Sequence, residues 1–164
     1  AVGGFNTRFR GADLEDMEFG YRLAEAGYTI VLAPSVRSWH HYPASWRKEL
    51  SGFARRVALW SGMFAGRKKL ESTGEGSPAR AMADMCGFAT VPFAIAGLIF
   101  PPAWFGLLVA FAGFVTLNRE FVTLAWKEEG PWFALKAVLF RLVHSIVVGV
   151  AIPYGLVFCR PERG

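Results

Sequence analysis

The chain has 164 residues, of which 53% are hydrophobic, 15% aromatic and 19% charged. A soluble domain carries about 25% charged residues, so this composition leans toward a membrane environment. Eighteen Lys and Arg against thirteen Asp and Glu give a net charge of +5. With no basic run interleaved with aromatics, the excess points to anionic lipid or phosphate and away from nucleic acid. The two cysteines, Cys86 and Cys159, lie far apart in apolar surroundings and have no zinc-type spacing, so both read as small buried hydrophobes.

The first stretch opens on Ala-Val-Gly-Gly-Phe, which reads as the end of a strand entering a turn, and the chain reads as a piece of a longer protein. Gly3 and Gly4 permit backbone conformations closed to other residues and a close approach by a ligand. Residues 14–26 read as a helix, because Leu14, Met17, Tyr21 and Ala24 recur at helical spacing and Gly27 stops the run. Four carboxylates crowd its start: Asp13, Glu15, Asp16 and Glu18. Asp13 is a candidate N-cap, and Asp16 three residues on gives a capping-box pattern. Tyr28 to Ala33 is a short β-prone run that predicts a buried strand, and Val36 to His40 a second extended piece. The stripe Trp46, Leu50, Phe53, Val57, Trp60 and Phe64, with Arg47, Lys48, Arg55 and Arg56 off it, predicts a basic amphipathic helix over 46–70. Such a helix lies in a membrane interface or packs on its own domain. Residues 71–82 read as a linker.

From Met85 to Asn118 no residue is charged. With Pro101-Pro102 breaking the run, 83–118 predicts a transmembrane helical hairpin. A polar connector over 119–130 follows, then a transmembrane or re-entrant helix over 131–159. His144 in that helix reads as a packing residue, although an ionisable group at membrane depth is a functional candidate.

Read in order, Gly3-Gly4-Phe5, Glu15-Asp16, Arg22, Ala26-Gly27-Tyr28 and His40 resemble the second half of the catalytic domain of family-2 glycosyltransferases, which have the GT-A fold. Asn6 stands where that family has Asp. The resemblance implies an α/β fold for residues 1–45, the C-terminal part of a GT-A nucleotide-sugar transferase domain, followed by an α-helical transmembrane region. It implies Asp16 as the catalytic base with Glu15 beside it, Gly3, Gly4 and Arg22 in substrate binding, and His40 as a ligand to a divalent metal, Mg or Mn. Most of the metal site and the donor-binding half would lie outside this chain. The Gln/Arg-x-x-Arg-Trp motif of processive members is absent.

The function expected on this basis is inverting transfer of a sugar from a nucleotide-sugar donor to a membrane-associated lipid or glycan acceptor. The alternative is a non-enzymatic membrane subunit or assembly protein whose acidic helix is only a capped helix. The distribution of Lys and Arg places the catalytic part on the cytoplasmic side of the inner membrane, in a multi-pass protein.

Overall fold

The computed structural model describes residues 2–7, 14–31, 33, 35–39, 45–67 and 77–159. Among these the chain forms five α-helices and no strand: α1 (Glu15–Glu25), α2 (Trp46–Arg67), α3 (Pro78–Gly97), α4 (Ala103–Leu117) and α5 (Arg119–Phe158). The expected α/β character of the N-terminal part is therefore corrected to all-helical. Tyr28, Ile30, Val31, Val36 and Trp39, assigned to strands on sequence, run outside regular structure with their side chains exposed. β-propensity is a preference for a pleated, half-buried surface. No described residue supplies the neighbouring strand that would create such a surface.

Two breaks organise the helices. The turn at Pro101-Pro102 separates α3 from α4. Gly130 takes φ 83°, ψ −179°, which divides α5 into a polar first part and an apolar second part beginning at Pro131. α3 starts earlier than its hydrophobicity suggests. Ser77 is its N-cap and accepts the Arg80 backbone N–H at 3.3 Å, and Pro78 occupies the first helical position. Proline fits there because that N–H has no helical partner in any case.

α3 and α4 form an antiparallel hairpin held by aromatic side chains lying on glycines. A Cβ added at Gly97 would meet the Trp104 ring at 2.8 Å, and one at Gly106 would meet the Phe93 ring at 2.5 Å. At the open end of the hairpin Arg80 Nη1 donates to Asn118 Oδ1 at 2.8 Å, and Asn118 Nδ2 donates to the Phe114 carbonyl at 2.8 Å. α5 runs along α3, where Gly87 faces Ser145 and Phe114, and Gly149 faces the Phe88 ring. α2 packs on α5, with Gly155 against the Ala58 carbonyl and Gly62 against the Cys159 carbonyl. Phe53 of α2 meets His144 edge to face at 4.5 Å, so part of the apolar stripe of α2 has a protein partner.

The interior is small and polar, and the exterior is large and apolar. Ala58, Ala83, Ala110, Ala125, Ala134, Ala151, Ser61, Thr90 and Ser145 are buried, and Phe114 is the largest fully buried side chain among the described residues. Phe105, Leu108, Trp126, Trp132, Val150 and Phe158 are exposed. That is the reverse of a water-soluble core. It suits lipid, where large apolar side chains lose nothing by facing outward and small residues let helices approach. α5 is long and apolar enough to cross a membrane, with a mean hydropathy of 1.9 over its best window. α4, with 15 residues, is also apolar but shorter.

Candidate functional site

The expected site residues gather at the N-terminal side of the fold, on α1. Leu14 is the N-cap residue and is buried, with no side-chain bond at the cap. Asp16 thus lies one position closer to the helix start than a capping box with Asp13 would place it; Asp13 itself is outside the described residues. Glu15, Asp16 and Glu18 all fall in the first turn, where the unpaired N–H groups favour negative charge. The far end is closed by a Schellman arrangement. Tyr28 N–H donates to Leu23 O at 3.0 Å and Gly27 N–H to Ala24 O at 3.1 Å. Gly27 has φ +84°, a conformation that a side chain would strain.

Arg22 links this helix to the Gly-Gly turn. Its Nε donates to Glu18 Oε1 at 2.7 Å and its Nη2 to Glu18 Oε2 at 3.1 Å. The same guanidinium donates through Nη1 to the Val2 carbonyl and through Nη2 to the Gly4 carbonyl at 2.7 Å. Phe5 and Phe19 meet at 5.0 Å, and the guanidinium lies 5.3 Å from the Phe19 ring centre. Gly3, with φ +76°, makes the bend that aims both carbonyls at Arg22. Three of the expected residues, Gly3, Gly4 and Arg22, are thereby brought to a single small assembly with Glu18 of the acidic first turn. Within it Arg22 acts on the chain itself. Trp60 Nε1 donates to the Tyr21 hydroxyl at 3.4 Å and so ties α1 to α2.

Asp16 is exposed and Glu15 half-buried. Among the described residues the Asp16 carboxylate accepts one bond at Oδ1, from the Met17 backbone N–H at 2.7 Å. A carboxylate offers about four lone-pair sites, so acceptor capacity remains on the outer face of the helix.

No family model, curated protein or solved structure matches this chain. What the site can do follows from its own chemistry. Exposed carboxylates at a helix start can accept a proton from a hydroxyl brought beside them. The divalent ion implied by the resemblance has no ligand set among the described residues, where no three His, Cys, Asp or Glu side chains converge. His40 is outside the described residues.

A second polar group lies inside the helical bundle, and sequence reasoning missed it. Asp84 on α3 pairs with Arg141 on α5 at 2.8 Å, both side chains being 10% exposed. Ser145 is fully buried, donates to Asp84 Oδ1 at 2.8 Å and lies 3.2 Å from the Arg141 carbonyl. The signal was present in two pieces. Asp84 sits on the small-residue face of α3 with Ala83 and Gly87, and Arg141 and Ser145 are one turn apart on α5. His144, singled out on sequence, is half-buried between Phe53 and Phe140, with Nδ1 2.9 Å from the Phe140 carbonyl.

Proposed function

We propose that this chain is the membrane-held, acceptor-side part of an inverting glycosyltransferase, which moves a sugar from a nucleotide-sugar to a lipid or glycan acceptor at the membrane. The reading is carried by one observation: the acidic first turn of α1 and the Gly3-Gly4 turn are clasped together by Arg22. Gly3-Gly4 and Arg22, which fall in the order of the resembled motif, are neighbours in space, and this supports the reading. The reading uses no β-sheet among the described residues.

In the proposed reaction the acceptor hydroxyl attacks the anomeric carbon from the face opposite the diphosphate. The new O–C bond forms as the bond to the diphosphate oxygen breaks, and that electron pair leaves with the nucleoside diphosphate. The hydroxyl proton passes to the Asp16 carboxylate, which is exposed and has acceptor capacity left. Glu15 stands next to it in the first turn. Arg22 positions the Gly3-Gly4 backbone, where the absence of side chains leaves room for a substrate. A Cβ at Gly4 would meet nothing within 4 Å.

The membrane side of the proposal rests on α5 and on the exposed apolar surface of the bundle. In this reading α1 and α2 lie on the cytoplasmic side of the inner membrane, which the usual bias of Lys and Arg supports through Arg47, Lys48, Arg55 and Arg56 on α2. One observation favours the rival, a non-enzymatic membrane subunit: Glu18 and Arg22 satisfy each other, as they would in a purely structural helix.

Asp16→Asn in the complete protein separates the two. Transfer of label from a panel of nucleotide-sugars to membrane lipids and glycans should fall by roughly 10²–10⁴-fold, the usual contribution of a general base, with donor binding retained. Transfer within a few-fold of wild type would remove Asp16 from that role. Loss of turnover in Glu15→Gln alone would move the base by one residue.

A further inference from the structure

The hairpin α3–α4 carries an inference that rests on the membrane reading and is independent of the transferase chemistry. Hairpins that cross a bilayer end in a turn that meets water, and such turns are polar because their backbone groups need partners. This one is not polar. Residues 98–105 read Leu-Ile-Phe-Pro-Pro-Ala-Trp-Phe. Ile99 is 89% exposed, and Leu98, Phe100, Trp104 and Phe105 are also open to the surroundings.

The backbone of the turn is built to match. Leu98 N–H donates to Ile95 O at 3.2 Å, Ile99 N–H to Ala96 O at 3.0 Å and Phe100 N–H to Ala96 O at 2.8 Å. On the other side Ala103 N–H donates to Phe100 O at 2.9 Å, Trp104 N–H to Pro101 O at 3.1 Å and Phe105 N–H to Pro102 O at 3.1 Å. The two positions between them are prolines, which have no N–H. No backbone donor from 98 to 105 needs water. Every backbone N–H of the turn is thus satisfied within the protein, as a donor placed in lipid requires. The capacity left over is on the carbonyls of 97–99, the kind of group that goes unpaired more readily than an N–H.

Length and charge agree with the turn. From Arg80 to Leu98, and from Pro102 back to Asn118, the helices run about 24–27 Å at 1.5 Å per residue. The hydrocarbon core of a bilayer is about 30 Å thick. With Arg80 and Arg119 at one head-group layer, the turn ends short of the other. All charge in the hairpin lies toward its open end, at Arg80 and Asp84. The charged helix α2 packs on α5 and makes no contact with the hairpin.

We infer that α3–α4 is a re-entrant wedge, which enters and leaves the membrane on one side and keeps its Pro101-Pro102 tip in the hydrocarbon of the lipid. The surface it offers at residues 98–105 is a lipid-contact surface and not an extracellular loop.

The test uses the full protein in sealed membrane vesicles of both orientations, with Cys86→Ala and Cys159→Ala removing the native thiols. Single cysteines are placed by Ile99→Cys, Ala103→Cys and Glu128→Cys and challenged with a membrane-impermeant maleimide. Position 128 should label from one side. Positions 99 and 103 should show loss of labelling from both sides, regained when detergent opens the membrane. A bimane at position 99 should be quenched more strongly by lipids with a mid-chain nitroxide than by lipids with a head-group nitroxide. Labelling of 99 or 103 from the side opposite to 128 would make the hairpin a true crossing and overturn the inference. Labelling of 99 from the same side as 128 would place the tip in water and overturn it equally. Extraction of the protein by alkaline carbonate would sink the membrane reading itself, an outcome seen by fractionation before any labelling.

Discussion

Replacing Arg141 by methionine tests the buried pair most directly. In the wild-type chain the Asp84 carboxylate takes two partners, the Arg141 guanidinium at 2.8 Å and the Ser145 hydroxyl at 2.8 Å. Both charged side chains are nine-tenths buried, so solvent does little to screen the pair. Arg141→Met keeps an unbranched apolar stem of similar reach and leaves the carboxylate with the Ser145 hydroxyl alone. Breaking a buried pair by removing one partner costs about 3–5 kcal/mol. A whole domain is stable by only about 5–15 kcal/mol, so the single variant should lose a large share of its stability. Asp84→Asn, which strands the guanidinium instead, should cost a comparable amount. The double variant Asp84→Asn, Arg141→Met removes both charges while the new amide can still accept from Ser145. Its cost should fall to about 1 kcal/mol or less, because apolar replacement of a buried pair is often neutral. The assay is unfolding of the detergent-solubilised protein followed by circular dichroism, with the four proteins forming a double-mutant cycle. A coupling of several kcal/mol is expected. Additive costs, or a single-variant cost below about 1 kcal/mol, would mean that the two charges do not depend on each other and would refute the pairing.

Gly155→Leu should force α2 off α5, because its Cβ would meet the Ala58 carbonyl, which is backbone and cannot swing aside. Overpacking of this kind costs about 1–3 kcal/mol or more. Gly113→Ala, whose Cβ would meet the Cys86 side chain with its sulfur at 3.2 Å, is the mild control in the same melting assay. Arg22→Gln should release residues 2–7 from α1. With Arg22 30% exposed the loss is modest, about 1 kcal/mol, and limited proteolysis should cut the N-terminal turn faster while α3–α5 stay protected. Unchanged cleavage there would mean that Arg22 does not hold the turn.

The helices were readable where the pattern is local. Leu14, Met17, Tyr21 and Ala24 repeat at helical spacing, and Gly27 does stop α1, with a positive φ and two closing hydrogen bonds. Pro101-Pro102 and Gly130-Pro131 do divide the apolar region. The misreadings arise where a local pattern needs a distant partner. Tyr28 to Val31 has the composition of a strand, but a strand is stable only beside another. Ser77-Pro78 was read as linker punctuation, although a serine before a proline is also an N-cap followed by a favoured first helical residue. The Arg22 clasp was beyond reach for another reason. The sequence gives the charge of Arg22, but its bonds go to backbone carbonyls 18 and 20 residues away, which leave no mark in composition.

The Asp84–Ser145 contact joins residues 61 apart in sequence, and its hiddenness follows from how a bundle in lipid must be specified. In water a helix face is chosen by burying large apolar residues, so periodicity reveals it. Here Leu108, Phe105, Trp132 and Val150 face outward, and such residues would be as well placed on any lipid-facing side. They suit a lipid surface and say little about which faces meet. That choice falls to Gly87, Gly149 and Gly155, which allow close approach, and to the one charge pair, which is satisfied at a single register of α3 against α5. Sliding α5 by one turn would replace Arg141 beside Asp84 with Ala137 or Ser145 and leave a buried charge on each helix. An apolar pair at 84 and 141 could match the native stability and yet permit that slide. The Asp84–Arg141 pair thus contributes register more than net stability, and the double variant described above should remain folded while its α3–α5 cross-linking pattern broadens.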